Sequence, residues 1–129
     1  MLLMLVGILC TSPAQTCRDK NNVSIGKIES DGTVRNASNV KIGCFDSYGI
    51  IRDASNMKVG CIDGSTIRDR SNMKIGSIES NGTVRDASNM KIGSVESNGT
   101  VRDGSNMKIG SAEGVKPAYA AVFFFFKLF

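Results

Sequence analysis

The chain has 129 residues, 41% of them apolar, with no Trp and no His, and 16 Lys and Arg against 12 Asp and Glu leave a net charge of +4. That length suits one small domain, and so mild a basic excess is not the concentrated footprint of a nucleic-acid binder. Without His there is no imidazole to serve as a general base or to complete a zinc site.

Residues 1–14, "MLLMLVGILCTSPA", form an apolar run followed by small residues, the pattern of an export signal cleaved before Gln15. A buried first strand or helix is the other reading of such a run. No Lys or Arg precedes Arg18, so the basic start of such signals is missing. Leu9 is too large for the position before a lipidated Cys10. Cleavage leaves one domain, residues 15–129, expected to be secreted or periplasmic and to span no membrane. It retains Cys17, Cys44 and Cys61, an odd number without zinc-site spacing, so disulfides are not the framework.

From Thr16 the chain repeats. Ile25-Gly26, Ile42-Gly43, Val59-Gly60, Ile75-Gly76, Ile92-Gly93 and Ile109-Gly110 recur at spacings of 17, 17, 16, 17 and 17, each preceded by a version of "RDASNMK". Seventeen residues are too few for a helical hairpin and suit two short strands with two tight turns. In "ESNGT" and "ESDGT", Gly closes a three-residue loop in the left-handed conformation of a turn with a Gly bulge. That register opposes Ile28 to Val34, Phe45 to Ile51, Ile78 to Val84 and Val95 to Val101. The shortened unit "CIDGSTIR" turns on Gly64-Ser65 alone and still pairs Ile62 with Ile67.

In the second turn, "DASNM", Asn takes the left-handed position, which Asn tolerates; Val34 is then expected opposite Ile42, and Ile51 opposite Val59. Ile42 and Phe45 lie three apart, so both point inward only if the strand bends between them. Gly26, Gly43, Gly60, Gly76, Gly93 and Gly110 therefore read as structural bulges or kinks. The chain opens in half a unit and leaves the repeat, near Gly114, after half of another. Pairing those halves closes the array and removes open edges. A parallel solenoid is the competing architecture, and the Asn-Gly hairpin signals oppose it.

Residues 115–129, "VKPAYAAVFFFFKLF", are apolar on both faces and predict a buried strand that closes or plugs the array. They are too few for a membrane-spanning helix, and the repeats lack the long, unbroken apolar faces of a lipid-facing barrel. The expected fold is all-β: a ring-like array of about six 17-residue hairpins with rotational pseudo-symmetry, over residues 16–114, closed or plugged by this Phe-rich strand.

"DGTVRNASNVKIG", its repeats and the ending "AYAAVFFFFKLF" resemble the five-fold β-flower proteins, small exported bacterial proteins. The resemblance covers residues 16–129. It implies an all-β ring behind an export signal and carries no activity. Six anchors stand where the family name suggests five, so either one terminal unit lies outside the ring or closure differs here.

Symmetry also builds rings of charge. Arg18, Arg35, Arg52, Arg68, Arg85 and Arg102 are equivalent, as are Lys41, Lys58, Lys74, Lys91 and Lys108. Acidic sets follow the arginines and precede the first turn. One reading is a multivalent surface for anionic groups, since Arg grips phosphate or sulfate with two N–H groups; the other is a solvated face of cross-strand charge pairs. A repeat supplies like groups many times, whereas catalysis needs unlike groups converging, so no enzyme, cofactor or metal is expected. Cys44 and Cys61, two strands and about 10 Å apart, are too far for a disulfide. The expected function is a structural or binding module at or outside the cell envelope. Its partner would be an anionic surface polysaccharide or another envelope protein; a self-assembling matrix or adhesive protein is the alternative.

Overall fold

Two turns, alternating along the chain, set the architecture of a computed structural model that describes residues 15–129. The expected export segment, 1–14, lies outside the described residues. The strands are β1 (Thr16–Asp19), β2 (Ser24–Ile28), β3 (Thr33–Asn36), β4 (Lys41–Phe45), β5 (Ile50–Asp53), β6 (Lys58–Asp63), β7 (Thr66–Asp69), β8 (Lys74–Ile78), β9 (Thr83–Asp86), β10 (Lys91–Val95), β11 (Thr100–Asp103) and β12 (Lys108–Ala112). Each pairs antiparallel with its neighbours in sequence, and β1 pairs with β12 through Cys17 and Ala112, closing a twelve-stranded barrel. All six units lie in the ring, and the two half-units at its ends complete one another.

The "DASNM" turns share one set of bonds. Asn22, Asn39, Asn56, Asn72, Asn89 and Asn106 have φ of 67–70°, the left-handed region in which Asn is among the few tolerated side chains. Ahead of each, the Oδ1 of Asp19, Asn36, Asp53, Asp69, Asp86 or Asp103 accepts backbone N–H bonds from residues two and four further on, at 2.9–3.1 Å. At the other end Gly32, Gly49, Gly82 and Gly99 take positive φ, as does Gly64 in the shortened loop. Asn81 and Asn98 each accept the N–H of the Thr two residues on, the turn role that explains their place. Asp31 does the same, and the Thr33 amide holds its carboxyl below the ordinary carboxylate range. Six turns of the first kind crown one end of the barrel, here the asparagine end; the loops rich in Glu and Asp crown the other, the acidic end.

The expected pairs Ile28–Val34, Phe45–Ile51, Ile62–Ile67, Ile78–Val84 and Val95–Val101 are all in register. Val34 opposes Gly43 and not Ile42, and Ile51 opposes Gly60 and not Val59. The register slips between Val34–Gly43 and Arg35–Lys41, leaving Ile42 as the extra residue of a bulge. The bend is where it was expected, but the residue opposite the core valine has no side chain. Space is left inside the barrel at six equivalent places.

The C-terminal segment fills that space, as a helix rather than the expected strand. Helix α1 (Pro117–Ala121) runs into a π-helical turn, Val122–Phe126. The reason is hydrogen bonding: every strand of a closed barrel already has two partners, so a segment inside finds no edge to pair with. Its backbone must satisfy itself, and a helix does so. Pro117 sits in the first turn, where its missing N–H costs nothing, and Ala120, Ala121 and Val122 are completely buried. Tyr119 stacks on Phe45 with centroids 4.0 Å apart.

Beyond Val122 the side chains fan outward, one per unit. A Cβ added at Gly26 would meet the Phe123 ring at 3.0 Å, at Gly110 the Phe124 ring at 2.7 Å, and at Gly60 Leu128 Cδ1 at 2.8 Å; at Gly93, Gly76 and Gly43 it would overlap Phe125, Phe126 and Phe129. Phe123 to Phe129, omitting Lys127, thus visit the glycines of β2, β12, β10, β8, β6 and β4, which is their order around the ring. Six units are spaced about 60° apart; an α-helix advances about 100° per residue, whereas a turn closed by i→i+5 bonds advances only about 80°. The wider turn therefore follows the ring more closely. Lys127, in the left-handed conformation at φ 48°, ends it.

Candidate functional site

The outer face carries the charged rings. Arg35, Arg52, Arg68, Arg85 and Arg102 each place Nε 2.8–3.7 Å from Glu29, Asp46, Asp63, Glu79 and Glu96 respectively. Each also donates an Nη1 bond of 3.1–3.2 Å to the carbonyl of the left-handed Asn in the following turn. Every one of these guanidinium groups thus lies along its strand and ties the acidic end to the asparagine end. Two of its N–H directions are thus already engaged, one by a carboxylate and one by a backbone carbonyl.

The lysines are placed differently. Lys41, Lys58, Lys74, Lys91 and Lys108 pair across the bulge with the five arginines, are exposed, and enter no ion pair among the described residues; the one lysine that does is Lys27. Like charges directly opposite one another repel, so these ammonium groups extend into solvent at the asparagine end. Lys20 and Arg70 join them there. The aspartates of that end have an oxygen committed to two backbone amides each, as described above. Glu29, Asp31, Asp46, Asp63, Glu79, Glu96 and Glu113 lie at the opposite end, where, besides the ring arginines, Lys27 and Lys116 are the cations among the described residues. The asparagine end thus sets seven cations beside five aspartates, while five of the seven carboxylates at the other end are paired with the ring arginines.

Beside the lysines lies a third ring, which sequence reasoning does not single out. Val23, Val40, Met57, Met73, Met90 and Met107, the residues before strand β2 and its equivalents, are 56–65% exposed. The signal was present: one position of an otherwise polar turn is apolar in every unit.

The cysteines show no shared site. Cys44 on β4 and Cys61 on β6 have β5 between them, and Cys17, Cys44 and Cys61 are all free thiols. Among the described residues no three Cys, Asp or Glu side chains gather as a metal site. Cys17 is fully buried at the position held by Val34, Ile51, Ile67, Val84 and Val101 elsewhere, and burial pushes its thiol from 9.0 up to about 12. Below pH 9 it is neutral whether folded or unfolded; between pH 9 and about 12 only the unfolded chain gives up the proton, so its contribution to stability falls as pH rises. Cys17→Val is expected to change stability by less than about 1 kcal/mol at neutral pH and to soften the alkaline decline. Thermal unfolding of both proteins across that range checks this. Alkylation should label Cys44 and Cys61 and spare Cys17 until the chain is denatured.

No helix among the described residues is long and apolar enough to cross a membrane. No curated protein and no solved structure matches the chain. One family model does, over residues 14–128, and its description is 5-fold beta-flower protein. That match spans the whole ring of repeats and the tail that fills it, and the chain belongs to the five-fold β-flower family.

Proposed function

We propose that the protein is an exported, non-enzymatic binding module that engages an anionic surface, such as a charged envelope polysaccharide, through the lysine-bearing end of its barrel. The observation that carries this reading is the contrast between the two basic rings. The arginines are held by carboxylates and turn carbonyls, while Lys41, Lys58, Lys74, Lys91 and Lys108 extend unpaired from one rim. Five equivalent weak contacts on a rigid ring engage a polymeric or planar anion together, and avidity multiplies them. A self-assembling matrix has less support: the barrel leaves no open strand edge, and the apolar tail is inside.

The test is retention on anionic and neutral polysaccharides at low and high salt. Binding should be saturable, confined to the anionic polymers and weakened by salt. Changing the five lysines to Gln together should lower affinity about tenfold or more and leave the fold intact. Equal retention of wild type and variant would refute the reading.

A further inference from the structure

We infer that the anionic surface is a lipid bilayer, and that the barrel docks on it end-on, the ring of Val23, Val40, Met57, Met73, Met90 and Met107 entering the headgroup boundary and the lysines meeting the headgroups. This rests on the reading above and names the surface. Single exposed apolar side chains are ordinary; six at equivalent positions on one rim form a patterned surface that needs a partner. The fold does not require them. At Met57 the turn holds only the backbone, whose N–H donates to Asp53 Oδ1 while its carbonyl accepts from Asp53 N–H. A polar residue would complete the same turn. What the side chains contribute lies outside the barrel.

Rotational symmetry repeats the six exposed side chains at one level around this rim, so a surface that meets one of them end-on is presented with all six. Each methionine, and Val40, is followed directly by an exposed lysine. An apolar tip beside a long cation is the pairing that anchors proteins at the interface of anionic membranes, the stem following the apolar side chain and the ammonium reaching headgroups. Methionine's flexible thioether adapts to such a disordered boundary. A second copy is a poorer partner. Asparagine end against asparagine end opposes two lysine rings, and the acidic end offers no matching apolar ring, its one large exposed hydrophobic side chain being Tyr48. Gln15 and Val115–Lys116 both lie at the acidic end, beside Glu29 and Ser30.

The experiment measures sedimentation of the full chain with vesicles of phosphatidylglycerol mixed with phosphatidylcholine, and of phosphatidylcholine alone, beside the anionic polysaccharides. A polarity-sensitive fluorophore at Met90→Cys or at Tyr48→Cys, in a chain with Cys10, Cys44 and Cys61 changed to Ser, reports orientation. Expected are binding to the anionic vesicles, a blue shift at position 90 and none at 48, and about tenfold or greater loss of affinity in the Met57→Ser, Met73→Ser, Met90→Ser, Met107→Ser variant. Undiminished vesicle binding by that variant, or a blue shift at position 48, overturns the inference; the second would assign docking to the acidic end. Binding to the polysaccharides but not to vesicles overturns it and leaves the anionic-surface reading standing. Binding to neither overturns both. Concentration-dependent polymers without vesicles would reassign the apolar ring to contacts between copies.

Discussion

A chain ended after Lys116 is expected to lose cooperative folding altogether. Truncation removes the five phenylalanines and Leu128 that occupy the glycine positions, together with the buried Ala120, Ala121 and Val122. One buried Phe→Ala change costs about 3–5 kcal/mol, and a domain's entire stability is about 5–15 kcal/mol. No rearrangement of the strands compensates, because six inward positions are glycines with nothing of their own to offer. Thermal melts followed by circular dichroism should show no sharp transition, and the truncated chain should bind a hydrophobic dye. A cooperative transition would mean that the strands close without their filling.

The second large effect is at the glycines themselves. Gly76→Ala is expected to cost about 3 kcal/mol or more, because the added methyl overlaps both the Phe126 ring and the Arg85 carbonyl of the next strand. Neither has room: the ring is held by the tail and the carbonyl by the sheet. The conformation is not at issue, since the φ of Gly76 is not in the left-handed region. Gly104→Ala is the control. A Cβ there meets nothing closer than 3.4 Å, the equivalent residues are Lys20, Ala37, Ala54, Arg70 and Ala87, and stability should stay level or rise slightly. Urea denaturation of the two variants separates close approach from any general intolerance of alanine.

The strands were legible because hairpin register follows from turn chemistry. Gly and Asn occur where a left-handed residue is needed, and the shortened unit with Gly64-Ser65 keeps Ile62 opposite Ile67. Closure was legible from the two half-units. The tail was misread for a definite reason. An apolar run such as Ala120–Phe126 fits a strand or a buried helix equally by periodicity, and the choice depends on whether a free edge exists, a property of the finished ring. For the same reason the glycines were read as bends alone: the bulge is visible in one unit, but its vacant interior position shows only when six are assembled around a common axis. The charged rings were found, and their division of labour was not. Arg and Lys are both basic in sequence, while in the fold the arginines are held along the strands and the lysines are displaced outward. The Val and Met ring was overlooked because each of its residues stood in the sequence only as the last member of a version of the turn "DASNM", and its exposure on one rim shows only when six turns are assembled.

Six tail side chains sit on six glycines in ring order, and the closed barrel depends on that filling. Nuclear Overhauser contacts between the tail side-chain protons and the glycine α-protons test it directly. The expected result is six separate pairings: Phe123 with Gly26, Phe124 with Gly110, Phe125 with Gly93, Phe126 with Gly76, Leu128 with Gly60 and Phe129 with Gly43. Tail protons that contact the glycines of only one or two adjacent strands, or none, would contradict it and place the tail outside the ring.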